Sequence, residues 1–225
     1  MNIFNETKTW AQNLSIKSHF ANQMDSTQSY AKQNLDTRLT VADQQSSGKG
    51  RFDRTWTNPK SGSALMATWT LNFDVPVSLN FSAKVGWCLL TALEKAFPDL
   101  DLTVKPPNDI WIGNKKIAGI LIENIVQNHC HTLIGIGINV MQAAPVDHAG
   151  CLQNHTTVNA DKWRIFLDVW WKQLSALKPE TPLSDSQCKD LFFAIKKHSD
   201  FKNLTAVLPD ASLQMDNKIL NWMDL

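Results

Sequence analysis

The order of the predicted helices and strands constrains the fold of this chain more than any other sequence feature. Short segments rich in apolar and β-branched residues predict strands at 39–44, 64–73, 102–105, 110–112, 116–122 and 132–140. Longer segments of helical character lie at 1–20, 78–97, 160–177 and 184–197. Helices and strands are therefore mixed without a regular βαβ alternation, which predicts an α+β fold.

The composition narrows the classes of protein to which the chain can belong. Its 225 residues, 43% of them hydrophobic, suffice for one medium-sized domain with a small appendage. A formal net charge of +1 argues against bulk attraction to nucleic acid or to an anionic membrane, so any cationic function must be local. No run of about 18 apolar residues is present, and no segment is predicted to span a membrane.

The cysteines and the first residues bear on the cellular compartment. Cys88, Cys130, Cys151 and Cys188 include no pair at CxxC spacing, which indicates reduced, buried thiols. The first ten residues, MNIFNETKTW, lack the apolar stretch of a signal peptide. We therefore predict a cytoplasmic protein.

A basic, glycine-spaced loop, QQSSGKGRFDRTW, follows the strand predicted at 39–44. Glycine permits close approach of a ligand to the backbone, and exposed amides beside Lys and Arg can bind a phosphate or a carboxylate. The loop is not a Walker A motif, because Asp43 and Gly50 occupy positions that require Gly and Ser or Thr. It is not GxGxxG either, because position 53 is Asp. An anion site and a solvated basic turn both remain open from this segment alone.

A second candidate segment is KPPND at 105–109. Prolines restrict the backbone and hold the preceding residue extended, so Lys105 stands at the end of a strand on a rigid turn. Lysine is a compact cation suited to gripping a carboxylate or phosphate oxygen, although a simple polar turn explains the segment equally well.

Two apolar strands contain small residues, and one short segment combines histidine with cysteine. The glycines of KIAGILIE at 116–123 and of GIGIN at 135–139 indicate close approach of a ligand or a backbone, or tight packing of the sheet. His129-Cys130-His131 is not predicted to bind a metal. Neighbouring strand residues point to opposite faces, and no ligand set at zinc spacing completes the site.

Five segments, taken together, resemble the motifs of biotin protein ligases. The loop from Gln45 to Pro59 resembles the family's GRGRxGRxWxSP loop, and KPPNDI resembles its KWPND segment. KIAGILIE and GIGIN resemble its KxAGILxE and GxGIN strands, and Asp25-Ser26-Thr27 resembles the DST that opens an early helix. The five occur in the family's order and cover roughly residues 20–180.

The resemblance implies a fold, a reaction and partners. It implies a mixed central β-sheet flanked by helices, as in class II synthetases, with a catalytic domain at 1–180 and a shortened C-terminal segment at 181–225. The implied reaction uses ATP and Mg²⁺ to attach biotin to a lysine of a biotin carboxyl carrier protein through biotinyl-5′-AMP. A homodimer is one assembly found in the family. The 24 residues before Asp25 are too few for a helix-turn-helix domain, so an enzyme-only type without DNA binding is expected.

The resemblance also assigns roles to individual residues. It implies catalytic roles for Lys105 and Arg51. The residues that it implies for biotin are Ser26, Thr27, Gln28, Gln45, Lys49, Gly50, Arg51 and Lys105. The residues that it implies for the nucleotide are Gly48, Lys49, Arg51, Trp56, Asn108, Lys116 and Asn139. No protein ligands to a metal are implied.

The chain departs from the family pattern at several positions. Lys49 replaces an Arg, Asp53 replaces a Gly, and Pro106 replaces the Trp of KWPND. The tail contains no glycine after Gly150, whereas the family ends in a small glycine-containing β-barrel, and a short hairpin around Asp216-Asn217 is predicted there instead. These departures keep two alternatives open, a lipoate or octanoyl transferase and a non-catalytic biotin-binding module.

Overall fold

A computed structural model describes residues 1–78, 81–127, 129–216 and 218–225. Its main element is a seven-stranded sheet with the order β1-β2-β3-β7-β6-β5-β4. Only the β1–β2 pair is parallel among the pairs of this sheet within the described ranges. The strands are β1 Ser18–Met24, β2 Leu39–Gln45, β3 Ala64–Phe73, β4 Leu102–Lys105, β5 Asp109–Ile112, β6 Lys115–Val126 and β7 Cys130–Asn139.

Helices lie on both faces of this sheet. The five α-helices are α1 Ile3–Asn13, α2 Thr27–Gln33, α3 Phe81–Ala96, α4 Ala160–Ser175 and α5 Asp185–Lys196. Helices α3 and α4 pack on each other, and Trp170 of α4 meets Trp69 of β3 edge-on with ring centroids 5.6 Å apart. The mixed sheet with flanking helices agrees with the predicted α+β class.

The predicted helix over residues 1–20 is wrong in its second half. Helix α1 begins after its cap Asn2 and ends at Asn13, and Ser15 then adopts a left-handed φ of 53°. Phe20 belongs to strand β1, where it pairs with Val41 of β2. Its ring still packs against Phe4 of α1, with centroids 5.6 Å apart, so the apolar spacing reflected burial rather than a continuous helix.

Alternation along the central strands separates the core from a functional face. In β7, Ile134, Ile136 and Ile138 are buried in the hydrophobic core. The residues between them, Gly135 and Gly137, point to the opposite face because successive strand residues alternate. That face of the sheet carries the cleft described below.

The segment 181–225, called the appendage here, contains α5 and a second sheet. This sheet has three antiparallel strands, β8 Leu204–Val207, β9 Leu213–Met215 and β10 Lys218–Leu220. Strands β9 and β10 confirm the predicted hairpin, although Asn217 at its turn lies outside the described residues. Buried appendage residues such as Ile195 and Trp222 belong to the same hydrophobic cluster as the main sheet. No helix in the described part of the chain is long and apolar enough to cross a membrane.

Candidate functional site

A cleft of about 690 Å³ opens on the glycine-bearing face of the main sheet. It brings together segments far apart in sequence, from the start of α2 to Leu225 at the end of the chain. Of the residues implied for substrates, all but Gly48 line it: Ser26, Thr27, Gln28, Gln45, Lys49, Gly50, Arg51, Trp56, Lys105, Asn108, Lys116 and Asn139. The five sequence motifs therefore converge on one cavity, while the role of each residue stays a prediction.

One end of the cleft, called the neutral end here, is built from uncharged buried side chains. Ser26 caps α2, and the amide of Thr27 donates to Oε1 of Gln45 at 2.8 Å. Thr68 Oγ1 on β3 lies 3.0 Å from both Thr27 Oγ1 and Gln28 Oε1. These contacts fix the orientation of the Gln28 amide. Its Nε2 is buried without a hydrogen-bond partner among the described residues, which leaves a donor for a ligand acceptor.

The cleft floor explains the glycines of β6 and β7. A Cβ at Gly137 would lie 2.4 Å from Cζ2 of Trp56, and one at Gly119 would lie 3.2 Å from Cζ3 of the same ring. A Cβ at Gly135 would lie 2.6 Å from Gln28 Oε1. The glycines thus seat two side chains of the cleft, a purpose that the sequence pattern did not distinguish from ligand approach or sheet packing.

The basic loop folds as a small antiparallel hairpin. The amide of Gly50 donates to the carbonyl of Arg54 at 2.7 Å, and that of Trp56 donates to the carbonyl of Gly48 at 2.9 Å. The amide of Gly50 is thus used inside the loop rather than left free in an anion-binding nest. Phe52 adopts a positive φ of 52°, whereas neither Gly48 nor Gly50 does. Phe52 is also 77% exposed. The side chain of Asp53, which replaces a family Gly, lies outside the described part of the chain.

Gly48 has a steric reason to be glycine, although it does not line the cleft. A Cβ at this position would lie 2.8 Å from the carbonyl oxygen of Trp56 and 3.1 Å from Gln45 Nε2. Any other residue would push apart the two strands of the loop. Gly48 therefore acts on the site through the backbone that carries Trp56.

The other end of the cleft, called the cationic end, carries Lys49, Arg51, Arg54, Lys105 and Lys116. Burial lowers the pKa of Arg51, while the Asp109 carboxylate opposes that shift and Arg54 adds to it. The Arg51 guanidinium lies 4.7 Å from the Phe52 ring centroid. This end can bind anions, because its cations outnumber the carboxylates that line the described part of the cleft.

The two lysines of the cationic end have different surroundings. Lys116 Nζ is 2.7 Å from the Asp109 carboxylate and 5.9 Å from the Trp56 ring centroid, so its ammonium lies over the cleft floor. Lys105 Nζ is 3.1 Å from the carboxylate of Asp200, which belongs to the appendage and does not line the cleft. The ammonium of Lys105 therefore lies nearer the rim.

Two asparagines predicted to bind nucleotide differ in their free hydrogen-bonding groups. Asn108 uses its Nδ2 to donate to the carbonyl of Ile120 at 3.0 Å, so that donor holds the turn against β6. Asn139 Oδ1 is buried and lacks a partner among the described residues. Asn139 is thus the better placed of the two to accept a hydrogen bond from a ligand.

Sequence reasoning missed several residues of the site. Thr68 lies within the strand segment ALMATWTLNF, whose sequence does not indicate a polar contact. Its role becomes recognisable only when β3 is placed beside α2. Arg54 and Asp109 stood inside quoted motifs without an assigned role, and both line the cleft. No group of three metal-ligating side chains occurs within the described ranges, and His131 instead contacts Asn72 at 2.9 Å.

Comparison with known proteins confirms the family resemblance. A model of the biotin/lipoate A/B protein ligase family matches residues 20–139. The bifunctional ligase/repressor BirA of Bacillus subtilis is 36% identical over 110 residues, which cover 46% of this chain and 33% of that protein. The biotin--[acetyl-CoA-carboxylase] ligase of Mycobacterium tuberculosis is 30% identical over 113 residues, covering 48% of this chain and 41% of that protein. The chain thus spans less than half the length of these curated relatives.

A solved structure extends the likeness to the whole fold. The biotin protein ligase of Aquifex aeolicus, in complex with biotin and ATP, aligns with a TM-score of 0.71. It is 20% identical, and the alignment covers 90% of this chain and 94% of that chain. The predicted fold class, a mixed sheet flanked by helices, is confirmed.

Proposed function

Because the chain belongs to the biotin/lipoate A/B protein ligase family, we propose that it is a ligase that activates biotin with ATP and transfers it to a protein lysine. The acceptor that we propose is a biotin carboxyl carrier protein. A single observation carries the proposal, namely that one cleft joins a buried neutral end to a cationic end. Biotin requires the same combination, since it has an uncharged ureido ring system at one end and a carboxylate at the other.

The neutral end suits a ureido group. The buried Gln28 Nε2 can donate to the ureido oxygen, while Thr27 and Gln45 lie beside it and are already oriented by hydrogen bonds. Buried donors without partners cost free energy, so a ligand that supplies the acceptor is stabilised. The same donor would be left unpaired by a purely apolar ligand end.

The cationic end suits the adenylation step. A carboxylate oxygen of biotin attacks the α-phosphorus of ATP, the bond from that phosphorus to the bridging oxygen breaks, and pyrophosphate leaves. Two anions must approach each other, and charge grows on the leaving group. Cations held in place, here Arg51, Lys105 and Lys116, stabilise that charge. Mg²⁺ enters with ATP as part of the substrate.

Transfer needs no nucleophile from the enzyme. The neutral amine of the acceptor lysine attacks the acyl carbon of biotinyl-5′-AMP, AMP leaves, and the new amide loses a proton. The cysteines do not compete as nucleophiles, because none lines the described cleft and burial raises the pKa of each, that of Cys88 to about 12. A loop that covers the adenylate would protect it from water.

Partner, assembly and location are further parts of the proposal. The free cysteines support the predicted cytoplasmic location, and the exposed outer edge of β1 is compatible with a homodimer. DNA binding is not part of the proposed function.

The proposal is tested by pyrophosphate release with and without biotin, followed by transfer to a carrier domain detected on a streptavidin blot. We expect biotin-dependent release and a labelled carrier. Lys105→Ala should lower adenylate formation at least about tenfold, because it removes a cation from the reacting phosphate. Absence of transfer at every protein concentration would contradict the ligase assignment, and wild-type rates in Lys105→Ala would contradict the role of this lysine.

The family model includes lipoate enzymes, so a lipoate or octanoyl transferase is the second candidate. Calorimetry with biotin and lipoate side by side separates the two, because lipoate lacks the ureido acceptor that would pair with Gln28 Nε2. Tighter binding of lipoate would favour the second candidate. Binding of biotin without pyrophosphate release would indicate a non-catalytic module.

A further inference from the structure

The appendage contacts the cleft through side chains that come from two of its elements. Asp200 lies in a 3-10 turn, Ser199–Phe201, directly after α5, and pairs with Lys105 Nζ at 3.1 Å. Trp222 lies in a second 3-10 turn, Trp222–Asp224, and its indole N–H donates to the carbonyl of Pro107 at 2.8 Å. Both contacts converge on the segment KPPND at 105–109.

The partly exposed Asp200 carboxylate contacts Ser199 and Lys105, and the Asp200 backbone is anchored on His198. The backbone amide of Asp200 donates to His198 Nδ1 at 3.2 Å. The Ser199 hydroxyl donates to Oδ1 of Asp200, also at 3.2 Å. The hydrogen bond from Lys105 keeps the pKa of Asp200 below its usual value, against the opposing effect of desolvation. Lys105 is further oriented by the Trp111 ring, whose centroid lies 5.2 Å from its Nζ.

The Trp222 contact acts on the backbone that carries the lysine. Trp222 is 1% exposed, and its indole N–H is hydrogen-bonded to the carbonyl of Pro107 in the 105–109 turn. Other buried tryptophans of the described chain, Trp69 and Trp170, leave the same group unpaired, so pairing is not a general consequence of burial here. The carbonyl of Met223 also lies 3.4 Å from Arg51 Nη2, which ties the same turn to the basic loop.

We propose that the appendage positions Lys105 for the adenylation step, with Asp200 orienting the ammonium and Trp222 fixing the turn beneath it. Lysine has three N–H donors, so an ammonium that uses one on Asp200 keeps two for oxygens of the substrate. Holding a catalytic cation in place before the reaction removes an entropic cost from the transition state. Asp200 and Trp222 are positioning residues in this scheme, which rests on the proposed ligase function.

The first test compares Asp200→Asn and Trp222→Phe with matched controls in the biotin-dependent pyrophosphate assay. We expect kcat to fall about fivefold in Asp200→Asn, since a half-exposed ion pair is weak, and about tenfold in Trp222→Phe. The KM for biotin should stay unchanged in both. Asp216→Asn removes an appendage charge away from the cleft, and Trp87→Phe removes an indole contact to Asp190 of α5, so both controls should keep the wild-type kcat.

Two further variants separate positioning from a merely structural role. Asp200→Glu should restore most of the lost kcat, because it keeps the carboxylate. In a Lys105→Ala background, Asp200→Asn should have no additional effect, since the residue acts through that lysine. An equal loss in both backgrounds, or an unchanged kcat in Asp200→Asn and Trp222→Phe, would overturn the proposal.

A measurement that does not need activity keeps this inference distinct from the proposed function. Limited acetylation with an N-hydroxysuccinimide ester, read by peptide mass spectrometry, reports how free the Lys105 amine is. We expect Lys105 labelling to rise about threefold in Asp200→Asn relative to Lys115, because an ion pair protects an ammonium. Unchanged labelling would overturn the positioning role even if the ligase is active, whereas an inactive wild type with increased labelling would overturn only the proposed reaction.

Discussion

At the neutral end of the cleft the polar side chains are uncharged and buried, whereas at the cationic end they are charged and partly exposed. Thr27, Gln28 and Thr68 orient one another through hydrogen bonds before any ligand is present. Lys105 and Lys116 are instead paired with carboxylates across 3.1 and 2.7 Å. The difference shows that buried hydrogen bonds organise one end, whereas ion pairs that water partly screens organise the other.

The largest effect is expected at the cationic end, from Lys116→Ala. This change removes the ammonium over the cleft floor and leaves the Asp109 carboxylate facing the anionic substrate without its paired lysine. We expect kcat for adenylate formation to fall roughly 10²- to 10³-fold. The measurement is biotin-dependent pyrophosphate release. Lys115→Ala is the matched control, since Lys115 is adjacent but does not line the cleft, and a comparable loss there would refute a specific role for Lys116.

A smaller effect is expected at the floor that joins the two ends, from Gly137→Ala. The added methyl would meet the Trp56 ring at 2.4 Å, so the ring must move away from its seat. If Trp56 packs on the nucleotide, the KM for ATP should rise about tenfold while the affinity for biotin changes little. Gly86→Ala is the control, because a Cβ there meets nothing within 4 Å and its helix should gain stability of about 0.5–1 kcal/mol.

The neutral end is tested by Thr68→Val, which keeps the shape of the side chain and removes its hydroxyl. Gln28 Oε1 and Thr27 Oγ1 then lose a neighbour at 3.0 Å. We expect biotin affinity by calorimetry to fall about tenfold, consistent with a lost buried hydrogen bond of ~1–2 kcal/mol. Thr70→Val is the control on the same strand face, since Thr70 Oγ1 is buried without a partner among the described residues. If the two variants bind biotin equally well, the Thr68 network is not part of the biotin site.

The smallest effect concerns pH at the rim of the cationic end. Desolvation lowers the pKa of His198 from 6.5, and the neighbouring Lys105 lowers it further, against the opposing Asp200 carboxylate. A folded-state pKa below the unfolded value means that the stabilising contribution is complete above pH 6.5 and is lost as pH falls through the folded value. The free energy of unfolding, measured by urea titration, should therefore decrease below pH 6.5. His198→Gln should show a shallower decrease, and an identical slope would exclude this histidine as its cause.

The sequence by itself determined most strands of the main sheet, the order of the motifs and most of the residues that line the cleft, although it assigned the start of β1 to a helix. Strand β3 was predicted at its observed bounds, because apolar and aromatic residues at 64–73 leave little alternative. Motif order was informative because each motif is a short continuous segment that can be recognised from its own residues. The sequence does not distinguish a glycine that admits a ligand or tightens the sheet from one that makes room for a side chain.

Only the tertiary structure decided which distant side chains complete the site. Thr68 contacts Gln28 across 40 positions, and Trp222 reaches Pro107 across 115. The break of α1 at Asn13 likewise depended on strand β1 pairing with β2, which the apolar spacing of the first 20 residues does not reveal. Contacts of this kind arise from packing between elements, and packing depends on where each element lies in space rather than on the residues beside it in the chain.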